Sequence, residues 1–122
     1  MVSIMPGKDF CVEVRNGARS GTGIIAVSGS LVLEHLVAFQ EVWESHPEPF
    51  LILDLSRLSH IDSAAIGYLV NAYVARKRDG KKLALAGVSG MTERILNVTR
   101  VAKLLTMFPS VEEAEASFRR AG

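Results

Sequence analysis

The chain has 122 residues, 48% of them hydrophobic and 22% charged, which is one domain's worth of sequence with enough apolar content for a core. Fourteen Lys and Arg against thirteen Asp and Glu give a formal net charge of +1. No field of one sign follows, which disfavours a general nucleic-acid binder or a polybasic membrane protein.

Phe10, Val12 and Val14 alternate with Cys11, Glu13 and Arg15, which predicts a half-buried strand. Asn16-Gly17, then Gly21 and Gly23, supply turn chemistry before a second strand over 24–27, so the two form a hairpin with a longer loop. Gly29-Ser30 is a loop that opens a helix. In that helix Val32, Leu36, Phe39 and Trp43 make the apolar stripe, Leu33 and Val37 widen it, and Glu34, Glu41 and Glu44 face away. Pro47 and Pro49 stop it, because proline has no amide hydrogen and clashes with the preceding turn. Residues 50–55 are a short continuous apolar run, the pattern of a strand buried on both faces.

A long helix follows over 63–79, with Ile66, Leu69, Val70, Tyr73 and Val74 as its stripe. Arg76, Lys77 and Arg78 sit near its C-terminus, where the dipole favours cations, and Gly80 ends it. Residues 83–88 form another buried strand. Residues 91–98 are helical, with Ile95 inward and Arg94 and Asn97 outward. A last strand is expected over 105–108. Ser110-Val111-Glu112-Glu113 then has the form of a capping box, opening a helix with Val111, Ala114 and Phe118 on its apolar face. The order is ββαβαβαβα, an α/β fold with a mixed sheet, an N-terminal hairpin, about five strands and four helices.

Several chemistries are excluded. No Gly-x-x-x-x-Gly-Lys-Ser/Thr loop is present, and Gly17, Gly21 and Gly23 lie between two strands rather than before a helix. His35, His46 and His60 lack metal-ligand spacing and read as surface or supporting residues. The single cysteine, Cys11, rules out an internal disulfide and a cysteine-cluster metal site. The first nine residues lack a signal-peptide pattern, and no apolar run approaches the ~18–20 residues of a membrane span, so the expected location is the cytoplasm.

Asp54 ends the apolar run at 50–53, where open α/β sheets place ligands. A phosphoaccepting aspartate there would need a divalent ion held by an acidic pair near the end of the first strand, which instead ends in Arg15 and Asn16. Asp54 therefore reads as a residue that fixes the following loop. A carboxylate pair of Asp54 and Asp62 is the one enzymatic reading, and no base, metal cluster or oxyanion feature accompanies it.

The stretch Ser59-His60-Ile61-Asp62-Ser63-Ala64-Ala65-Ile66-Gly67 is more specific. Asp62 is a good N-cap and Ser63 falls in the first turn, near solvent. Phosphate on Ser63 would add about −1.5 to −2 charges at a helix N-terminus that tolerates them, with Asp62 opposing. The same Asp-Ser pair is also common capping chemistry.

With this element order and these motifs, the chain resembles the STAS domain family, and within it the stand-alone anti-sigma factor antagonists. The resemblance rests on Val27-Ser28-Gly29, Leu51-Ile52-Leu53-Asp54-Leu55-Ser56, Ile61-Asp62-Ser63, Gly80-Lys81-Lys82-Leu83 and Ser110-Val111-Glu112-Glu113-Ala114. It implies a single STAS domain over 1–122 with its core at about 10–118. The family's Asp-Ser-Ser-Gly-Leu switch reads Asp62-Ser63-Ala64-Ala65-Ile66 here, so Ser63 matches the phosphorylatable serine. Ala64 removes an alternative hydroxyl, and Ala65 adds a methyl expected to restrict the approach of a partner.

The resemblance implies a binding module without catalysis or cofactor. Its partners would be an anti-sigma factor that is also a serine kinase, and a serine phosphatase, with no direct nucleic-acid contact and a monomeric or weakly dimeric chain. The expected contact surface takes in Gly29, Ser30, Ser59, His60, Asp62, Ser63, Ala64, Ala65, Tyr68 and Asn71, with Ala72 beside them. The alternative is a non-catalytic scaffold subunit of a lipid-transport or stressosome-like complex.

Overall fold

The computed structural model describes the backbone of residues 2–7 and 9–121 and the side chains of residues 9–118. Six strands form one sheet in sequence order: β1 (Val2–Gly7), β2 (Phe10–Asn16), β3 (Thr22–Leu31), β4 (Phe50–Ile61), β5 (Lys82–Ala86) and β6 (Met107–Phe108). The first three are antiparallel neighbours and β3 to β6 are parallel, so the sheet is mixed. Three helices connect them, α1 (Leu36–Glu44), α2 (Ser63–Arg78) and α3 (Gly90–Val98), and α4 (Val111–Ala121) follows β6. The five strands and four helices of the expected order are all present, and β1 adds an edge strand before them.

Period-two alternation sorts the sheet residues between two cores. Ile25, Val27, Leu51, Leu53, Leu55, Leu83 and Leu85 pack against Phe39, Val42 and Trp43 of α1, Ile66 and Leu69 of α2, and Leu96 of α3. Their neighbours Ile24, Ile52, Ala84 and Ala86 point the other way, onto Val111, Ala114 and Phe118 of α4. The apolar run at 50–53 is therefore a strand covered on both faces. The hairpin loop closes through Gly17 N–H donating to Thr22 O at 2.8 Å. The final helix takes half of its capping box, with Glu113 N–H donating to Ser110 Oγ at 3.2 Å.

Five expectations need correction. Strand β3 runs on through Gly29 and Ser30 to Leu31, and a 3-10 turn (Leu33–His35) precedes α1, so Gly29-Ser30 is not a loop opening a helix. Leu33 lies in that turn, before α1 begins, and Val37 lies two residues before the buried Phe39, on the opposite side of α1. The two are 66% and 69% exposed instead of buried. Strand β4 continues to Ile61, so residues 59–61 belong to a strand. On α2 the buried set is Ala65, Ile66, Leu69, Ala72 and Arg76, while Val74 is exposed. On α3 it is Leu96, more than the half-buried Ile95, that enters the core.

Arg76 is the one cation in the described core. Its guanidinium donates to the carbonyls of Glu48 and Lys82 and lies over the Trp43 ring, 5.7 Å from the centroid. Burial lowers its pKa from the ordinary arginine value, while Glu48 and Asp79 oppose that shift. The side chain thereby ties the end of α2 to the segments entering β4 and β5. Among the described residues, no helix is long and apolar enough to cross a membrane.

Candidate functional site

Strands β3 and β4 extend together beyond β5, whose pairing with β4 ends at Asp54 and Ala86. In this extension Gly29 pairs with Leu58, Ser30 with His60 and Leu31 with Ile61. The polar side chains meet there. Ser59 Oγ donates to Gly29 O at 2.9 Å, and His60 Nδ1 lies 3.1 Å from Ser59 Oγ and 3.4 Å from Ser30 Oγ. Gly29 itself has φ +85, the left-handed region that favours glycine, and sits at a register shift between the two strands.

Immediately past the extension, Asp62 caps α2. One carboxylate oxygen accepts from Ala65 N–H at 2.9 Å, and the other accepts from Leu33 N–H at 2.9 Å. The first bond is ordinary capping. The second ties α2 to the 3-10 turn after β3, a link that no local sequence pattern signals. The amides of Ala65 and Leu33 stabilise the ionised form and hold this carboxyl below the usual aspartate value, with burial opposing them weakly.

Ser63 is the first residue of α2 and is exposed. Gly67 and Asn71, one and two turns on, are exposed on the same side. Sequence reasoning overlooked Gly67, although its i+4 spacing from Ser63 was visible. A methyl group built at Gly67 meets no atom within 4 Å. Gly67→Ala should therefore stabilise the protein by about 0.5–1 kcal/mol through helix propensity alone. Urea denaturation measures this, and an unchanged midpoint would contradict it.

The other expected contact residues divide. Ala64 is half-buried beside Ser63, whereas Ala65 is fully buried and Ala72 is 8% exposed. Both of the latter face the sheet, so neither methyl meets a partner; the concern that Ala65 blocks an approach does not apply. Tyr68 is half-buried, with its ring edge-on to Phe39 at 5.8 Å. Burial, helped by Glu44, pushes its hydroxyl up to about 12, so it stays neutral near pH 7. Leu33 and Val37 join the surface instead, as exposed apolar residues on the turn that Asp62 holds and on the first turn of α1.

Asp54 does accept from Ser56 N–H at 3.0 Å, as a backbone-fixing residue would, but within β4 rather than at its end. It cannot pair with Asp62. Eight residues, all but the last within one continuous strand, separate them by on the order of 25 Å.

The fold is shared with proteins of known structure at low identity. A candidate anti-sigma factor antagonist from Thermotoga maritima superposes with a TM-score of 0.79 at 21% identity, covering 88% of this chain and 94% of that one. An anti-sigma factor antagonist from Mycobacterium paratuberculosis gives 0.72 at 18% identity over the same shares. A sulfate transporter family protein from Wolinella succinogenes gives 0.72 at 21%, covering 84% of this chain and 88% of that one. Residues 13–114 match the STAS domain, and the chain belongs to that family.

Proposed function

We propose that this protein is an anti-sigma factor antagonist whose Ser63 surface captures an anti-sigma factor and is switched off by phosphorylation of Ser63. The observation that carries this reading is the exposed Ser63 at the first position of α2, with the exposed Gly67 one turn away. The hydroxyl is open to a kinase, and the surface beside it is free of bulk. The chain acts as a binding module in the cytoplasm, with no reaction of its own, as a single STAS domain that is monomeric or weakly dimeric. Its partner is an anti-sigma factor with serine kinase activity, and a serine phosphatase reverses the modification.

Phosphate on Ser63 places about −1.5 to −2 charges at the centre of the contact. The α2 N-terminus favours that charge and Asp62 opposes it, so the fold persists while the surface becomes strongly negative. Asp62, Ser63, Ala64 and Asn71 supply the contact, with Leu33 and Val37 as apolar neighbours and Ser30, Ser59 and His60 at its edge. Gly29 serves this surface by shaping the strand under it.

Wild type, Ser63→Ala and Ser63→Asp, each checked for native circular dichroism, serve as baits in source-cell lysate with mass spectrometry of the captured proteins. Wild type and Ser63→Ala are expected to capture a kinase-like anti-sigma factor, and Ser63→Asp to lose it. Equal capture by all three baits would refute Ser63 as the switch. The likeness to a sulfate transporter family protein favours one second reading, a scaffold subunit. Transport-complex subunits captured in place of the kinase would support that reading.

A further inference from the structure

We propose that Asp9, Glu34 and His35 form a binding site for a divalent transition metal, and that Zn²⁺ suits their donor set best. One carboxylate oxygen from each acid and a ring nitrogen of His35 all lie within 4.8 Å of one another. His35 Nε2 is 3.6 Å from Asp9 Oδ1. Ligands at about 2.0–2.1 Å in a tetrahedral zinc site are about 3.3–3.5 Å apart, so this pair already has nearly the needed spacing. Both acids are exposed, and their side chains can rotate to bring the third donor in.

The histidine is prepared for this role by its surroundings. Its Nδ1 lies 2.7 Å from Ser30 O, and a carbonyl only accepts, so Nδ1 carries the proton. Nε2 is left facing Asp9, and in the neutral ring its lone pair is available to a metal. A ligating histidine almost always has this second contact, which fixes both tautomer and ring orientation. The ring also stacks on Phe10, with centroids 4.7 Å apart and planes 12° apart, and its side chain is only 11% exposed. Asp9 is placed by the backbone: its carbonyl accepts from Ser30 N–H at 2.6 Å. Two donors thus hang from the segment around Ser30, one directly and one through β2.

One imidazole and two carboxylates, with positions left open to water, match zinc better than magnesium or calcium, which take oxygen alone. The spacing in the sequence hides the set, because Asp9 is 25 positions before Glu34 and meets it only through the β2–β3 pairing. A bound ion would pin the start of β2 to the 3-10 turn that carries Leu33, whose amide Asp62 accepts. The site stands whether or not Ser63 is a switch.

Calorimetric titration of the full chain with zinc chloride, with magnesium chloride as the control, tests this. One zinc ion per chain is expected, with no saturable magnesium binding. The double variant Asp9→Asn/Glu34→Gln alters only exposed positions, and His35→Gln removes the ring nitrogen; each should weaken zinc binding about tenfold or more. His46→Gln should leave it unchanged, since His46 and Glu48 are the other histidine–carboxylate pair, at 3.2 Å. Absence of saturable zinc binding by wild type overturns the site and leaves His35 and Asp9 as neighbouring side chains only. Unchanged affinity in the double variant, or loss only in His46→Gln, overturns it as well.

Discussion

Gly29→Ala should destabilise the protein by about 3 kcal/mol or more, although Gly29 lies in a strand end and is only half-buried. A side chain at φ +85 costs on the order of 1–2 kcal/mol before any contact is counted. The added Cβ would also fall 2.0 Å from Asp9 O and 2.6 Å from Asp9 C. These are backbone atoms, so no side-chain rotation relieves the clash. The strands must separate where Phe10 pairs with Gly29, which breaks the bond from Ser30 N–H to Asp9 O. Each lost backbone bond costs on the order of 1 kcal/mol, and more where the orphaned group stays buried. Urea denaturation gives the difference directly. A loss below about 1 kcal/mol would show that the strand end is looser than its bonds imply. The result also separates two roles for Gly29: a pure contact residue would lose partner capture with no change in stability, whereas a shaping residue loses both.

The layered core was legible because its pattern is strict. Leu51, Leu53 and Leu55 face one layer and Ile52 the other, so a run of apolar residues in the middle of the sequence reads correctly as a strand covered twice. Pro47 and Gly80 punctuate as their geometry requires, and Gly80 takes φ +76 after the end of α2. What misled the reading lies where β3 and β4 leave the sheet. Ser56, Arg57, Ser59 and His60 are polar and exposed, and composition alone assigns them to a loop. They remain in a strand because β3 pairs with β4 there, while the pairing of β5 with β4 ends at Asp54 and Ala86. The edge strand β1 was missed for a related reason: Met5-Pro6-Gly7 breaks its alternation, and an edge strand tolerates that interruption. Within the site, Asp62 and Ser63 were legible as a cap and a first-turn residue because capping is local chemistry. The bond from Leu33 to Asp62 spans 29 positions and has no sequence signature.

That long-range bond makes Asp62→Ala the second large effect. The substitution removes the cap of α2, worth about 1 kcal/mol. It also removes the bond to the Leu33 amide; that bond is exposed, so its loss costs a net amount on the order of 0.5–1 kcal/mol. A total loss of about 1.5–2 kcal/mol is expected, more than a simple cap would give. Asp62→Asn should lose less, because an amide oxygen still accepts from one of the two donors. The charge gives the effect a pH signature. The folded-state carboxyl lies below its unfolded value, so its contribution is complete above the unfolded value and drains away as pH falls through the folded one. The stability difference between wild type and Asp62→Ala should therefore be flat from about pH 7 to pH 5 and shrink below about pH 4. Urea midpoints across that range measure it. A difference that stays constant down to pH 3 would mean that the ionised carboxylate is not what holds the turn. If the difference shrinks as expected, the carboxylate that supports Leu33 also sets the backbone of Ser63, and the two sides of the proposed contact surface are held by one side chain.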